Sequence, residues 1–336
     1  MSILPRIPKL GRSFNPAIHR TMHIRIGTRH SALALWQANY IAQGLTKAGN
    51  QVELVKITTT GDTTTSPLGQ GGGVGLFTKE IQNALLDRRC DVAVHSLKDL
   101  PTQPIEGLRL AAVPSREDPR DCLVSERYRS VEELPLGCIV GTGSPRRRAQ
   151  LLHLRPDLDL REIRGNVDTR LNKLAQGHYD AIVLASAGLA RLGLAQTLST
   201  RLGLETMLPA VGQGALGLET RAEDHETAQA IRVLNDSHAE ACVRAEREVL
   251  RILRAGCLAP VAAYASLEHG TMVLRAKVFS VDGSVMVSAW VRHAFEPQNS
   301  DSQNSEPPDQ TPEALARYVT EKLIEQGADR LIESKV

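Results

Sequence analysis

The sequence has few aromatic residues, few cysteines and no long hydrophobic run. Aromatic residues make up 3% of the 336 residues and the formal net charge is only +2. Both values argue against a nucleic-acid groove, because such a groove combines basic and aromatic side chains. No apolar run approaches the roughly 20 residues of a membrane span, and no signal-peptide core is present. We therefore expect a cytoplasmic protein that binds neither nucleic acid nor membrane.

The five cysteines are scattered along the chain, and none belongs to a C-x-x-C pair. An odd number of separated thiols disfavours a disulfide framework and a zinc site, so we expect no metal. Four of them, Cys90, Cys122, Cys138 and Cys242, are interpreted as small apolar residues. The fifth, Cys257, lies in a Gly/Pro loop, where a thiol can be a nucleophile, a covalent anchor or a small apolar residue.

Two segments have a composition unlike that of a packed domain. Residues 1–21 contain lysine and arginine but no acid, which is compatible with an organelle transit peptide. Their shortness, three prolines and lack of a clear amphipathic helix favour a disordered leader before a start at Met22. Residues 295–312 are polar and proline-rich, and we expect a flexible loop inside the last domain.

Strand and helix patterns alternate through the first two thirds of the chain. Residues 23–27 alternate between apolar and polar, Ser31 can cap a helix, and residues 53–57 alternate again, which predicts a βαβ unit. Further strands are predicted at 91–94, 139–140, 158–163 and 181–184. This order predicts an α/β fold with parallel sheets covered by helices on both faces.

The last third follows a different pattern. A long helix is predicted from Ala239 to Leu253, followed by strands at 272–279 and 285–292 and a closing helix at 312–326. Short strands with a helix on either side of them in the sequence predict a smaller α+β domain.

The stretch G-T-G-S-P-R-R-R-A-Q, residues 141–150, predicts the start of a helix with three arginines in its first turn. Ser144 can cap the helix, and the following proline fits the first helical position. Cations are unfavourable at this positive end of the helix dipole. We therefore expect an anionic group opposite these arginines.

Basic residues recur in the loops that follow predicted strands. Open α/β sheets bind ligands at these carboxyl ends, and helix starts and arginines both favour anions. Any one of them alone could be a solvated surface residue, but their recurrence at equivalent places predicts a ligand with several carboxylates or phosphates between two domains. The residues are Arg29 with Ser31, Lys98 with Asp99, Arg146 with Arg147, Arg164 with Arg170, and Arg191.

The pattern around these loops leaves several functions open. Asp99 suits proton transfer or the holding of a cationic intermediate, and equally a salt bridge to a nearby arginine. Residues 212–217 satisfy G-x-G-x-x-G, but no clear strand precedes them, which disfavours an NAD-dependent enzyme. The glycine-rich run 69–75 lacks the Lys-Ser/Thr of a phosphate loop. A two-lobed binding protein without catalytic activity is the main alternative to an enzyme.

Several longer motifs occur together and in a fixed order. They are residues 28–37 (TRHSALALWQ), 95–102 (HSLKDLPT), 116–121 (REDPRD), 164–170 (RGNVDTR), 208–214 (LPAVGQG), and Gly256-Cys257 with Pro260. With these motifs the chain resembles the porphobilinogen deaminases (hydroxymethylbilane synthases) from about Ile24 to its end. The resemblance implies an identity for the anionic group expected opposite the arginines: they would hold the acetate and propionate groups of pyrrole rings.

The resemblance implies two α/β domains like the lobes of periplasmic binding proteins, followed by a smaller C-terminal α+β domain. We expect domain 1 to span 22–115 with 210–236, domain 2 to span 116–209, and domain 3 to span 237–336. Domain 3 would carry the cofactor cysteine, and the chain would be a monomer.

The resemblance also implies an activity. Four porphobilinogen molecules would be condensed head to tail, with release of ammonia, to give linear hydroxymethylbilane for porphyrin and haem biosynthesis. Cys257 would hold a dipyrromethane cofactor through a thioether, and Asp99 would be the catalytic carboxylate. Lys98, Ser144, Arg146 and Arg147 match positions that bind the cofactor. Arg29, Ser31, Arg164, Arg170 and Arg191 match positions near the substrate and the growing chain.

The loop before Gly75 departs from the family, which often has lysines where this chain has Gln70 and Val74. Because the loop has lost positive charge, we expect weaker substrate affinity or slower elongation than in typical members. The variant Val74→Lys should improve whichever of the two is impaired, as measured by single-turnover kinetics of chain elongation. Kinetics equal to those of the unmodified protein would contradict this expectation.

Overall fold

The computed structural model describes residues 21–58, 78–194, 199–256, 258–295 and 311–333. The strands are β1 (His23–Thr28), β2 (Gln51–Lys56), β3 (Val92–Ser96), β4 (Leu108–Ala112), β5 (Asp121–Val124), β6 (Ile139–Gly141), β7 (Asp159–Arg161), β8 (Ala181–Ala185), β9 (Ser199–Arg201), β10 (Leu216–Arg221), β11 (Val261–Glu268), β12 (Thr271–Phe279) and β13 (Met286–Ala294). The helices are α1 (Ala32–Lys47), α2 (Lys79–Leu86), α3 (Pro145–Leu154), α4 (Val167–Ala175), α5 (Ser186–Arg191), α6 (His225–Ile231), α7 (Ser237–Ile252), α8 (Pro312–Glu325) and α9 (Ala328–Glu333), with 3-10 turns at Leu97–Asp99 and Arg232–Leu234. Among the helices of these ranges, none has the length and apolar content needed to cross a bilayer.

The first sheet has the strand order β2-β1-β3-β10-β4, with β1 parallel to both β2 and β3. Ile24 and Ile26 are fully buried. They lie on the same face of β1, because alternate side chains of a strand point the same way. They pack with Ile41 of α1 in one core cluster. Ser31 caps α1, as its position in the sequence predicts, and its Oγ accepts a hydrogen bond from Ala34 N at 3.3 Å.

The second sheet has the order β7-β6-β8-β5-β9, with β6 parallel to β7 and β8. Val140 of β6, Val183 of β8 and Leu151 of α3 are fully buried in its core. The two sheets therefore share one plan, in which the loops after the parallel strands emerge at one edge.

The prediction of parallel sheets was wrong for the strands beside the connections between the two sheets. Strand β10 is antiparallel to β3 and β4, and β5 is antiparallel to β8 and β9. The chain leaves the first sheet after β4, enters the second through β5 and returns through β10. Every residue of β5 and β10 is buried, so neither strand has the apolar–polar alternation that would identify it.

The third sheet is antiparallel, in the order β11-β12-β13, and packs against α7 and α8. Ala245 of α7, Leu274 of β12 and Val319 of α8 are fully buried between them, which confirms the smaller α+β part. Each of the three sheets takes its strands from one of the three ranges predicted as domains. The domain limits themselves stay a prediction.

Two segments, residues 113–120 and 209–215, connect the first two sheets and run side by side. Glu117 N donates to the carbonyl oxygen of Gly214 at 3.2 Å. Gly214 has φ of +86°, and a Cβ at this position would collide with the carbonyl oxygen of Glu117. Only glycine combines this backbone conformation with such a close approach of the two connecting segments.

Candidate active site

The predicted basic loops follow the carboxyl ends of parallel strands, where the fold exposes helix starts and backbone N–H groups. Arg29 and Ser31 follow β1, Lys98 and Asp99 follow β3, Ser144, Arg146 and Arg147 follow β6, Arg164 and Arg170 follow β7, and Arg191 follows β8.

Lys98 and Asp99 lie in a 3-10 turn whose first residue, Leu97, fixes it to the rest of the protein. Leu97 is 1% exposed, and its N–H donates to the carbonyl oxygen of Ala215 at 3.0 Å. Lys98 and Asp99 are half-buried. The turn therefore places two groups of opposite charge side by side on a backbone that is fixed to the returning segment 209–215.

The arginines at the start of α3 face a carboxylate of the protein itself. Arg146 donates to Asp121 Oδ2 at 2.8 Å, and Arg147 donates to Asp121 Oδ1 from Nε at 3.0 Å and from Nη2 at 2.7 Å. Asp121 is fully buried, and both arginines are about 5% exposed. Ser144 caps the helix, accepting from Arg147 N at 3.4 Å. The anionic group that we expected opposite these arginines is thus supplied in part from the first residue of β5.

Gln213 connects this carboxylate with the turn after β3. Its Nε2 donates to Asp121 Oδ1 at 2.9 Å and to the carbonyl oxygen of Pro119 at 2.7 Å. Its Oε1 accepts from Lys98 Nζ at 3.4 Å. One buried amide therefore joins the two α/β units at the site. Reasoning from the sequence gave no role to Asp121 or Gln213, although both lie inside motifs that it singled out.

The site holds more buried and half-buried positive charge than its own carboxylates balance. Burial lowers the pKa of Lys98 to about 8, an effect that Asp99 and Asp121 oppose and Arg147 and Arg146 reinforce. Burial also lowers the pKa of Arg170 to about 10, with a further decrease from Arg147 and an opposing increase from Asp99. Ligand carboxylates placed among these groups would stabilise their charged forms.

In Asp121, by contrast, the lowered pKa means that the surroundings stabilise the charged form. Burial alone would raise the pKa of its carboxyl group, but the guanidinium groups of Arg146 and Arg147 and the amide of Gln213 lower it to about 2. Arg146 Nε is buried and has no hydrogen-bond partner among the described residues. An added acceptor within reach would satisfy that donor, and carboxylate groups fit the charge and the donors of this arrangement.

The remaining predicted arginines lie in two different places, as the charged groups around each of them show. Arg170 lies close to Asp99, Arg147 and Arg164, and its Nε donates to the carbonyl oxygen of Gly165 at 2.8 Å. Arg164 is also paired with Glu162 at 2.6 Å. Arg170 therefore lies with the charged groups near Asp99, and Arg164 lies close to Arg170.

Arg191 lies at a contact between the two α/β units. Its guanidinium donates to the carbonyl oxygen of Gly214 at 2.7 Å and lies 5.8 Å from the ring centre of Trp36, in α1. Trp36 in turn stacks on Tyr40 at 5.4 Å between ring centres. The charged or ionisable groups that act on the pKa of Arg191 are Glu117 and Tyr40. Neither belongs to the charged groups near Asp99, so Arg191 lies away from them. The sequence pattern gave no role to this aromatic pair.

Cys257 lies outside the described residues, as do Gln70 and Val74. The other four cysteines are buried and free, as interpreted from the sequence. Burial raises the pKa of Cys90 and of Cys138 to about 11 and that of Cys242 to about 12. High thiol pKa values make these three poor nucleophiles at neutral pH. Within the ranges that the structure covers, no group of three or more His, Cys, Asp or Glu side chains could hold a metal ion.

Comparison with protein families gives two matches. The model described as "Porphobilinogen deaminase, dipyromethane cofactor binding domain" matches residues 24–229. The model described as "Porphobilinogen deaminase, C-terminal domain" matches residues 240–323. Together they span nearly the whole chain.

Comparison with solved structures finds solute-binding proteins. A nutrient-binding protein from Burkholderia cenocepacia bound to methionine is 13% identical, with 62% of this chain and 89% of that chain covered and a TM-score of 0.39. A TRAP periplasmic solute-binding protein from Desulfovibrio salexigens is 11% identical, with 66% and 74% covered and a TM-score of 0.41. Similarities of this size bear on neither ligand nor activity.

Proposed function

Since this chain belongs to the porphobilinogen deaminase family, we propose that Asp99 is its catalytic carboxylate and that the surrounding cations hold the carboxylates of cofactor and substrate. Membership of the family makes the protein a transferase, a hydroxymethylbilane synthase. It joins porphobilinogen units head to tail with release of ammonia, in tetrapyrrole biosynthesis. The observation that carries the proposal is the cluster of cations at the turn of Asp99, in which Arg146 and Arg147 are buried and Lys98 and Arg170 are half-buried.

The dipyrromethane cofactor of the family supplies, when bound, the pyrrole end to which substrate units are added. We propose that Lys98, Ser144, Arg146 and Arg147 bind it, and that Cys257 is its covalent attachment point. The lowered pKa of Lys98 and the unpartnered Nε of Arg146 support this assignment, because each would be stabilised by a carboxylate.

Asp99 is proposed to act on the reacting pyrrole. A carboxylate accepts hydrogen bonds from pyrrole N–H groups and stabilises the positive charge that develops as ammonia leaves. Its position in the turn after β3, beside Lys98 and facing Arg170, fits this role. The cations on either side would hold carboxylate groups of the substrate, so that the pyrrole nitrogen points at Asp99.

Arg29, Ser31, Arg164, Arg170 and Arg191 are proposed to contact the substrate and the growing chain. Arg170 is supported by its closeness to Asp99 and Arg147, and Arg164 by its closeness to Arg170. Arg191 is proposed from the family resemblance, and its guanidinium contacts Gly214 and Trp36. We also propose that the protein is cytoplasmic and monomeric, and that its domains have the three ranges given above.

The cofactor assignment is tested by weighing the intact, denatured protein. We expect an excess equal to two linked pyrrole units, absent from Cys257→Ser, which should also release no ammonia from porphobilinogen. Cys242→Ala is the matched control, since Cys242 is buried in α7 and should leave the added mass in place. A purified protein that carries no added mass, and gains none after incubation with porphobilinogen, would overturn the assignment. Binding of porphobilinogen without ammonia release would favour a binding protein of the same fold.

A further inference from the structure

Helix α7 runs along the turn that carries Lys98 and Asp99. Ala239 and Val243, four residues apart on one face of α7, share a buried cluster with Leu97 and Leu100, which flank the two charged residues. Arg247 is the next residue on that face, after four further positions. The C-terminal part of the chain therefore covers the turn with two apolar side chains and one arginine.

Arg247 is bonded to the backbone immediately after Asp99. Its Nη1 donates to the carbonyl oxygen of Leu100 at 3.0 Å, and its Nη2 donates to the carbonyl oxygen of Pro101 at 2.6 Å. A guanidinium is planar and its donors have a fixed geometry. Two such bonds to consecutive carbonyls fix the orientation of the peptide groups at the end of the turn, which apolar contacts from Ala239 and Val243 do not.

We infer that Arg247 is a positioning residue for the reaction, holding the turn so that the Asp99 carboxylate keeps its direction relative to the bound pyrrole chain. This inference rests on the proposed catalytic role of Asp99. Helix α7 ends at Ile252, shortly before Cys257. In the sequence, the same helix thus leads from the residue that contacts the turn of Asp99 to the segment proposed to carry the cofactor.

Arg247→Met and Arg247→Lys test the inference in the cofactor-bearing enzyme. Methionine keeps most of the aliphatic stem but removes both hydrogen bonds, and we expect kcat to fall by about tenfold or more with KM changed less than about twofold. Lysine retains a donor for one carbonyl and should restore part of kcat. The mass of bound cofactor and the thermal midpoint should stay close to those of the unmodified enzyme in both variants.

Arg244→Met is the matched control. Arg244 lies on α7 one turn before Arg247, but it is largely exposed and pairs with Glu313 at 2.9 Å. It should leave kcat and KM unchanged. An unchanged kcat in Arg247→Met would overturn the inference, as would a fall in kcat that only matches a loss of cofactor or of folded protein. Asp99→Asn separates the two levels: if that variant keeps full turnover, the role of Asp99 fails, whereas an inactive Asp99→Asn beside a normal Arg247→Met refutes only the inference on Arg247.

Discussion

Replacing Asp99 by asparagine is expected to lower turnover by about 10²-fold or more, the range found when a positioned acid or base is removed. Asparagine keeps the size of the side chain and one acceptor oxygen but loses the negative charge. The developing positive charge of the reacting pyrrole would then face Lys98 and Arg170 without the opposing carboxylate. Release of ammonia and formation of hydroxymethylbilane, measured under saturating porphobilinogen, give the effect on kcat.

The effect of Asp99→Asn must be separated from loss of the cofactor. Intact mass of the denatured variant should show the two-pyrrole excess, since the proposed cofactor ligands are other residues. Asp87→Asn serves as the control, because Asp87 is an exposed residue that follows α2 and pairs with Arg89 at 3.6 Å. Turnover of Asp99→Asn similar to that of Asp87→Asn, with cofactor present, would remove Asp99 from the catalytic role.

Asp121→Asn is expected to destabilise the protein by about 3–5 kcal/mol, the usual cost of removing one member of a buried ion pair. Arg146 and Arg147 are both nearly inaccessible to water and would lose the charge that balances them. Urea unfolding followed by circular dichroism measures the difference in free energy. Glu313→Gln removes the charge from the more exposed pair with Arg244 and should cost no more than about 1 kcal/mol.

The pH dependence of this difference follows from the pKa of Asp121. The folded protein holds that pKa at about 2, below the value of about 3.9 for an unfolded chain. A carboxyl group with a lowered pKa contributes its full stabilisation above the unfolded value and loses it as pH falls toward the folded value. The gap in unfolding free energy between the unmodified protein and Asp121→Asn should therefore be constant near neutral pH and narrow from about pH 4 to about pH 2. A gap that does not change in this acid range would contradict the assigned pairing.

The part of the site that lies in regular sequence patterns could be predicted. Ser31 and Ser144 were identified as helix caps because a hydroxyl directly before a helical pattern is a local signal, and both cap their helices. The basic loops were located because each follows a segment that either alternates between apolar and polar residues or forms a short apolar run, and both patterns predict a strand. The match of the family models then agreed with the order of the longer motifs.

The partners of those residues could not be predicted in the same way. Asp121 begins a strand that is buried at every position, and its pairing with Arg146 and Arg147 depends on which strands of the second sheet are neighbours. Gln213 lies in a glycine-rich pattern that was weighed as a dinucleotide site and used as a motif of the resemblance, and neither use gives it a partner. Arg247 meets Leu100 across a separation of 147 residues. Such contacts are set by tertiary packing and leave no periodic trace in a single sequence.

The side-by-side connecting segments 113–120 and 209–215 determine how the two α/β units can move. A single linker allows bending, twisting and sliding alike. Two side-by-side linkers joined by the hydrogen bond from Glu117 to Gly214 resist twisting and sliding, since either motion would move one linker past the other and strain that bond. Bending across the pair leaves that bond intact. We therefore expect the two units to bend about these segments as the pyrrole chain lengthens, while the alignment of Asp99 with Arg147 and Arg170 is kept. Gly214, where a Cβ would collide with the Glu117 carbonyl oxygen, is the residue on which this restricted freedom depends.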